Sequence, residues 1–104
     1  MEDTVCALRL TRRYDAGPDE VWRALTEPES MARWLGAADV RLRPVEPERV
    51  LELELPDSVA RIELTPDGDR TVLVLNHERI PAAVGMRFAQ RWTTTLARFG
   101  RELT

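Results

Sequence analysis

The stretch PAAVGMRFAQRWTTTLARFGREL, residues 81–103, decides the fold of this chain. Apolar side chains recur in it at steps of three or four residues, namely at Val84, Phe88, Trp92, Leu96, Phe99 and Leu103. This spacing predicts a long α-helix with one apolar stripe, opposite a stripe of arginines at 87, 91, 98 and 101. Such a helix needs a broad apolar surface to cover it, and the preceding chain has to supply that surface.

Most of the preceding chain alternates between apolar and polar residues, which is typical of β-strands with one dry face. Strands are predicted at residues 4–14, 38–43, 51–55, 60–64 and 70–77. The last of these is apolar on both faces, which favours an interior position in the sheet. Turns are predicted at 44–48, at 56–58 and, most clearly, at Pro66–Asp69, where Gly68 suits a tight hairpin.

Two short helices are predicted between the first two strands. Pro18 suits the first turn of one helix, and Pro28 ends it, because the residue before a proline leaves helical geometry. The second helix is predicted at 29–35, with Gly36 as its stop. The order of strand, two short helices, four strands and long helix indicates an α+β fold with an antiparallel sheet. We expect a single domain over residues 1–104.

The composition excludes several classes of function. A net charge of −3 argues against a nucleic-acid partner, and the absence of lysine excludes a Schiff base. With one cysteine and one histidine, the chain can form neither an intrachain disulfide nor a Cys/His zinc site. No apolar run approaches the ~18 residues of a membrane span, and the first residues lack the apolar core of a signal peptide. We therefore expect a cytoplasmic protein without a metal or cofactor.

The segment LTRRYDAGPDEVWRALTEPESMARWLG, residues 10–36, resembles the amino-terminal signature of the SRPBCC (START-like, Bet v-like) superfamily. Within the superfamily it is most similar to the branch named after the activator of heat shock protein 90 ATPase. The residues that carry the resemblance are Arg12, Tyr14, Asp15-Ala16, Pro18, Val21-Trp22, Ala24-Leu25-Thr26, Pro28-Glu29 and Trp34. Residues 64–77 and 90–99 resemble the penultimate hairpin and the terminal helix of the same family.

The resemblance implies a helix-grip fold, in which a curved sheet of about five strands wraps around the terminal helix and encloses an apolar cavity. Members of the family bind hydrophobic small molecules or act as accessory proteins, and some relatives are cyclases. We expect this cavity to be lined by Arg12, Trp34, Leu53, Leu64, Leu75, His77, Phe88 and Trp92. Family members usually run longer after the second short helix. In this chain the cavity would then be smaller, open on one side or closed by a second subunit.

Each polar or aromatic candidate also has a structural interpretation. Arg12 lies in phase with the apolar residues of its strand, so it either reaches past the core edge into water or anchors a ligand. His77 is either a hydrogen-bonded residue at the sheet rim or a ligand contact. Trp34, Phe88 and Trp92 either fill the core or line the cavity.

Three hypotheses about function remain open. The preferred one is a non-enzymatic domain that binds an apolar or amphipathic small molecule between helix and sheet. The second is a co-chaperone-like interaction module in which the helix arginines contact an acidic partner protein; a homodimer is a further possible assembly. The third is a cyclase-like enzyme that uses His77 or Arg12, although the glutamates at 52, 54 and 63 fall on the predicted wet face.

Overall fold

The computed structural model describes residues 4–36, 40–56 and 58–103. Its strands are β1 (Val5–Tyr14), β2 (Arg41–Glu46), β3 (Val50–Glu54), β4 (Val59–Asp67) and β5 (Arg70–Pro81). Its helices are α1 (Pro18–Thr26), α2 (Pro28–Trp34), a short 3-10 helix (Ala82–Val84) and α3 (Gly85–Arg101). The elements follow in the predicted order. The predicted turn at 56–58 includes Asp57, and the predicted second strand begins at Ala38 and Asp39; these three residues lie outside the described residues.

The five strands form one antiparallel sheet in the order β1-β5-β4-β3-β2. The register places Leu10, Leu75, Ile62 and Leu51 side by side in one row across the inner face of the sheet. Because every second side chain of a strand points to the same face, successive rows of this kind together form a continuous apolar layer. This arrangement confirms the α+β class and the helix-grip architecture, with β5 in the interior of a curved sheet.

The helix α3 buries the predicted stripe against this layer. Its buried residues are Gly85, Trp92, Thr95, Leu96 and Phe99, and its four arginines are exposed. Two glycines allow both ends of α3 to lie close to β1. A Cβ atom at Gly85 would lie 2.8 Å from Cys6 Sγ, and one at Gly100 would lie 3.3 Å from Tyr14 Cε1.

The short helices α1 and α2 also bury apolar side chains at the inner face of the sheet. Both begin with a proline at their first position, where a missing N–H costs nothing, and α2 begins one residue before the predicted start. Val21, Leu25 and Trp34 are fully buried. Gly36 has a φ of 62°, a left-handed conformation that ends the helix as predicted.

The start of the terminal helix differs from the prediction. Residues 81–84 are not α-helical, because β5 continues to Pro81, which pairs with Val5. The Ala82 amide then donates to the Thr4 carbonyl oxygen at 2.9 Å, and α3 begins only at Gly85. Hydrogen bonds from a distant strand satisfy the backbone here, and a local helical pattern gives no sign of them.

The turn predicted at 44–48 also lies later than expected. β2 runs through Pro44 to Glu46, and the turn occupies residues 47–49, with Glu48 at a φ of 64°. Proline is tolerated within β2 because β2 is an edge strand, where one side of the backbone has no ladder partner.

Candidate functional site

A chain of polar contacts crosses the apolar core beneath the first half of α3. Trp92 Nε1 donates a hydrogen bond to His77 Nδ1 at 3.0 Å, and His77 Nε2 lies 2.7 Å from Ser58 Oγ. Trp92 and His77 are fully buried, whereas Ser58 is half-buried at the start of β4. The chain therefore connects the inner side of α3 with the protein surface.

Three different elements position these side chains. Alternation along β5 directs His77 inward in phase with Leu75, although β5 itself continues four residues further than predicted. The four-residue steps of α3 place Trp92 on the buried side of the helix. Ser58 is held in the connection between β3 and β4, where its carbonyl oxygen accepts a hydrogen bond from the Leu55 amide at 2.8 Å.

The indole fixes the tautomer of His77. An indole N–H can only donate, so Nδ1 of His77 must accept, and the hydrogen of the neutral ring is on Nε2. Nε2–H then donates to Ser58 Oγ. Burial lowers the pKa of His77, and the positive charge of Arg91 lowers it further. A protonated ring would also bring a second N–H against the indole, so His77 is neutral at physiological pH.

This tautomer determines what the pair of Ser58 and His77 can do. A histidine that activates a serine nucleophile must accept the serine proton on the nitrogen that faces it. Nε2 of His77 already carries a hydrogen and donates to Ser58. The arrangement therefore orients donors toward the surface and does not activate Ser58 as a nucleophile.

Phe88 and Arg91 border the same buried pair. The half-buried ring of Phe88 packs edge to face on His77, with 4.8 Å between the ring centroids. The guanidinium carbon of Arg91 lies 6.0 Å from the centroid of the Trp92 ring, within the range of a cation–π contact. An apolar ring and a cation thus adjoin the polar chain.

The remaining inner-face candidates are spread over several rows of the sheet. Leu53 lies in the row of His77, because both are aligned with Ala60. Leu75 belongs to the next row, and Leu64 shares the row after that with Arg12. The structure therefore brings His77, Leu53, Phe88 and Trp92 to one end of the core and places the other candidates further away.

Arg12 points to the inner face from the edge strand β1. It is half-buried, and its Nη1 donates to the Thr11 carbonyl oxygen at 2.8 Å. A charged residue that faces inward on an edge strand discourages pairing with another chain, which gives Arg12 a structural role beside the ligand contact that we predicted.

Trp34 lies at the opposite end of α3 from His77. It is fully buried and packs on Phe99, with ring centroids 5.4 Å apart. Within the described residues, its Nε1 has no hydrogen-bond partner. Trp34 therefore belongs to a second aromatic cluster, separate from the polar chain.

The deep candidates are closely packed. Leu53, Leu75, His77, Trp34 and Trp92 have no accessible surface, and a side chain without accessible surface borders no void that could hold a water molecule. Phe88 is the aromatic candidate with an open edge. A ligand at this end of the core would contact that edge first, and a larger one would need the first half of α3 to move.

The sequence did not identify two of these residues. Ser58 was predicted only as part of a turn, because its contact with His77 depends on the register between β4 and β5. Arg91 was assigned only to the exposed stripe of the helix. Its proximity to the Trp92 ring depends on side-chain geometry that residue spacing does not specify.

A surface groove of ≈ 310 Å³ lies between α1, α2 and the end of α3. Its lining is mostly charged, and the Arg33 Nε–Glu102 Oε1 ion pair of 2.6 Å crosses it. It contains none of the predicted site residues. Its lining includes the Ser30 hydroxyl and the cations of Arg23 and Arg33, but no aromatic side chain.

No protein-family profile matches the chain, and no curated protein sequence is similar to it. Solved structures are similar in fold. Crystalline CalU16 from Micromonospora echinospora is 24% identical, with a TM-score of 0.78 over 96% of this chain and 77% of that one. CV1439 from Chromobacterium violaceum is 18% identical, with a TM-score of 0.75 over 93% of this chain and 96% of that one.

A third similar structure is DynU16, described as a putative protein in the dynemicin biosynthetic locus. It is 22% identical, with a TM-score of 0.78 over 93% of this chain but only 46% of its own length. The match to CV1439 is nearly end to end, so a domain of this size occurs elsewhere with the same fold. In the part of the chain that the structure describes, no helix is long and apolar enough to cross a bilayer.

Proposed function

We propose that this chain is a small cytoplasmic START-like domain that binds an apolar or amphipathic small molecule between the sheet and α3 and catalyses no reaction. The signature in residues 10–36 supports a place in the SRPBCC superfamily, near the branch named after the activator of heat shock protein 90 ATPase. The observation that carries the proposal is the half-buried ring of Phe88, which packs on His77 of the polar chain.

The site has the composition of a small-molecule pocket. Such pockets are mostly apolar and contain a few fixed polar groups that orient the ligand. Phe88 supplies apolar surface, and Trp92 holds the His77 ring in one orientation through a buried hydrogen bond. Because these groups are already ordered, a ligand loses little free energy in arranging them.

Titration with fatty acids, flavonoids and polyketide-like aromatics tests the proposal. The indole N–H of Trp92 donates to His77, so its NMR resonance should shift when a ligand contacts Phe88, and tryptophan fluorescence should change with it. Phe88→Ala should weaken binding about tenfold, because the ligand loses about 1.5 kcal/mol of apolar contact.

Met86→Ala is the matched control for Phe88→Ala. Met86 is on the same helix, but its side chain is 75% exposed, so its loss should leave ligand affinity unchanged. A flat response to the whole panel, in fluorescence and in the Trp92 resonance, would refute small-molecule binding at this site.

A protein-interaction function is the second candidate, and the arginine stripe is the observation that favours it. Arg87, Arg91 and Arg98 are exposed, and none of them takes part in the ion pairs found among the described residues. The double change Arg87→Glu and Arg98→Glu should then abolish binding to an acidic polypeptide such as poly-glutamate. Under the small-molecule proposal the same variant should retain its ligand affinity.

A further inference from the structure

The exposed face of α3 carries a straight row of arginines. The residues of the row follow one another in steps of four, three, four and three, and all are exposed: Arg87, Arg91, Thr94, Arg98 and Arg101. These steps keep the five side chains on one side of the helix, over a length of about 21 Å. The geometry of a single helix therefore places the four positive charges in one line.

The charge of this row is not balanced by its neighbours along the chain. Residues 79–101 contain five arginines and no acidic residue, although the whole chain has a net charge of −3. Arg87, Arg91 and Arg98 take part in none of the ion pairs found among the described residues. The row is a local concentration of positive charge on an acidic protein.

The row is unfavourable for the beginning of α3. Arg87 lies in the first turn, where the helix dipole disfavours a positive charge, and neither an acidic residue nor a side-chain cap offsets it. Arg91 follows four residues later, so the two guanidinium groups repel each other. The placement of these charges does not stabilise the helix, and a negatively charged partner would relieve the repulsion.

A shallow groove runs beside the arginine row. It has a volume of ≈ 420 Å³ and is lined by Met86, Ala89, Gln90, Thr93 and Thr94. Most of these residues lie about a quarter turn around the helix from the arginines. A partner that lies along α3 can therefore place apolar side chains in the groove and carboxylates on the arginines at the same time.

A helix fits this surface better than an extended chain does. Steps of four and three residues advance about 6 and 4.5 Å along a helix, and a second helix repeats both steps. An extended chain presents residues on one side about every 6.7 Å and cannot match the shorter step.

Two other occupants match the surface less well. A second copy of α3 would bring like charges together. An anionic membrane would need several large apolar side chains to insert, and Met86 is the large apolar residue that α3 exposes.

We propose that the exposed face of α3 docks an acidic amphipathic helix of a partner protein. Its carboxylates bind Arg87, Arg91 and Arg98, and its apolar side chains lie in the groove beside Met86. The proposal is independent of the small-molecule site. It specifies the secondary structure and the charge pattern of the partner in the protein-interaction hypothesis.

Three labelled peptides test the proposal by fluorescence anisotropy. The acidic helix consists of three repeats of EAALEAA, in which glutamates recur at steps of four and three residues beside a row of leucines. The second peptide has glutamine in place of every glutamate. The third has proline in place of the last alanine of each repeat, which prevents a helix. We expect the acidic helix to bind about tenfold more tightly than either control peptide.

The double change Arg87→Gln and Arg98→Gln should weaken binding of the acidic helix about tenfold, because each exposed ion pair contributes roughly threefold. The double change Arg9→Gln and Arg41→Gln is the matched control. It removes the same charge from two exposed arginines of the sheet, so the affinity should stay within about twofold.

Thr94→Glu separates docking from the stability of α3. The new carboxylate lies three residues after Arg91 and four before Arg98, so it can pair with both and should raise the melting temperature by about 2–5 °C. The same carboxylate competes with the partner for these arginines, so binding of the acidic helix should weaken about tenfold. Weaker binding by a more stable protein cannot result from unfolding of the helix.

Three results would overturn the proposal. Equal binding of the acidic helix and its proline variant would refute a helical partner. Unchanged binding after loss of Arg87 and Arg98 would refute this face. Binding to phosphatidylglycerol vesicles but not to the acidic helix would identify a membrane surface instead. None of these results changes the response of the Phe88 site to small molecules, so the two proposals can fail separately.

Discussion

The two ends of α3 are built from similar parts and differ in chemistry. Near the C-terminal end, the Phe99 ring lies between Tyr14 and Trp34, with centroid distances of 5.2 and 5.4 Å. Near the N-terminal end, the His77 ring lies between Phe88 and Trp92, at 4.8 and 5.9 Å. Each end is a cluster of three rings in edge-to-face contact, but only one of them has a polar ring at its centre.

The difference favours the N-terminal end as the place for the proposed ligand. At the C-terminal end, the hydroxyl of Tyr14 donates back to the Leu96 carbonyl oxygen at 2.8 Å. Burial raises the pKa of Tyr14 to about 12, although the positive charge of Arg12 lowers this pKa by a smaller amount. The hydroxyl therefore remains a donor at any physiological pH. That donor is used within the protein. At the N-terminal end, the donors lead outward to Ser58.

The largest contrast should come from removing one phenylalanine at each end. Phe99 is fully buried, so Phe99→Ala should lower the free energy of unfolding by about 3–5 kcal/mol. Phe88 is half-buried, so Phe88→Ala should cost about 1–2 kcal/mol and act mainly on ligand affinity. Urea denaturation of both variants measures the two losses, and equal losses would remove the distinction between the ends.

The two tryptophans should differ by a smaller amount. Trp92→Phe deprives the buried His77 Nδ1 of its donor, whereas Trp34→Phe removes an N–H without a partner in the described residues. Both changes shorten a buried ring, but only the first leaves a polar atom unsatisfied. Trp92→Phe should therefore be more destabilising by about 1–2 kcal/mol in urea denaturation. The reverse order would show that the polar chain contributes nothing to stability.

The smallest effect should appear as a pH dependence. His77 is the single histidine of the chain, and its folded-state pKa lies below its usual value of about 6.5 because of burial and Arg91. Below pH 6.5 the unfolded chain binds a proton that the folded protein does not bind. The free energy of unfolding should therefore decrease as the pH is lowered below 6.5, by at most about 1.4 kcal/mol per pH unit, until the folded-state pKa is reached.

The variant His77→Gln isolates that contribution. Glutamine can still accept from Trp92 but does not titrate, so the decline between pH 6.5 and 5 should be shallower in the variant than in the parent protein. Above pH 6.5 the two proteins should differ by a constant amount. If the free energy of unfolding depended on pH in the same way in both proteins, His77 would bind its proton equally well in the folded and the unfolded state.

The sequence predicted the inward side of each element better than the contacts between elements. Periodicity was sufficient for the α3 stripe and for the inner faces of the strands, because burial depends on repeats of two or of 3.6 residues. It failed at the start of residues 81–84, where Pro81 pairs with Val5 of β1 and the Ala82 amide donates to the Thr4 carbonyl oxygen. It missed Ser58 and the proximity of Arg91 to the Trp92 ring, because both depend on strand register and side-chain packing.

The pairing of β1 with β5 constrains how the protein can assemble. Leu10 faces Leu75 across this pair, so the sheet is completed by the first and the last of its strands in chain order. The hairpins from β2 to β5 can form as the chain emerges, but the first strand must wait for the last one. Closing such a long loop is entropically costly and slow, so folding should finish with a late docking of β1 onto β5.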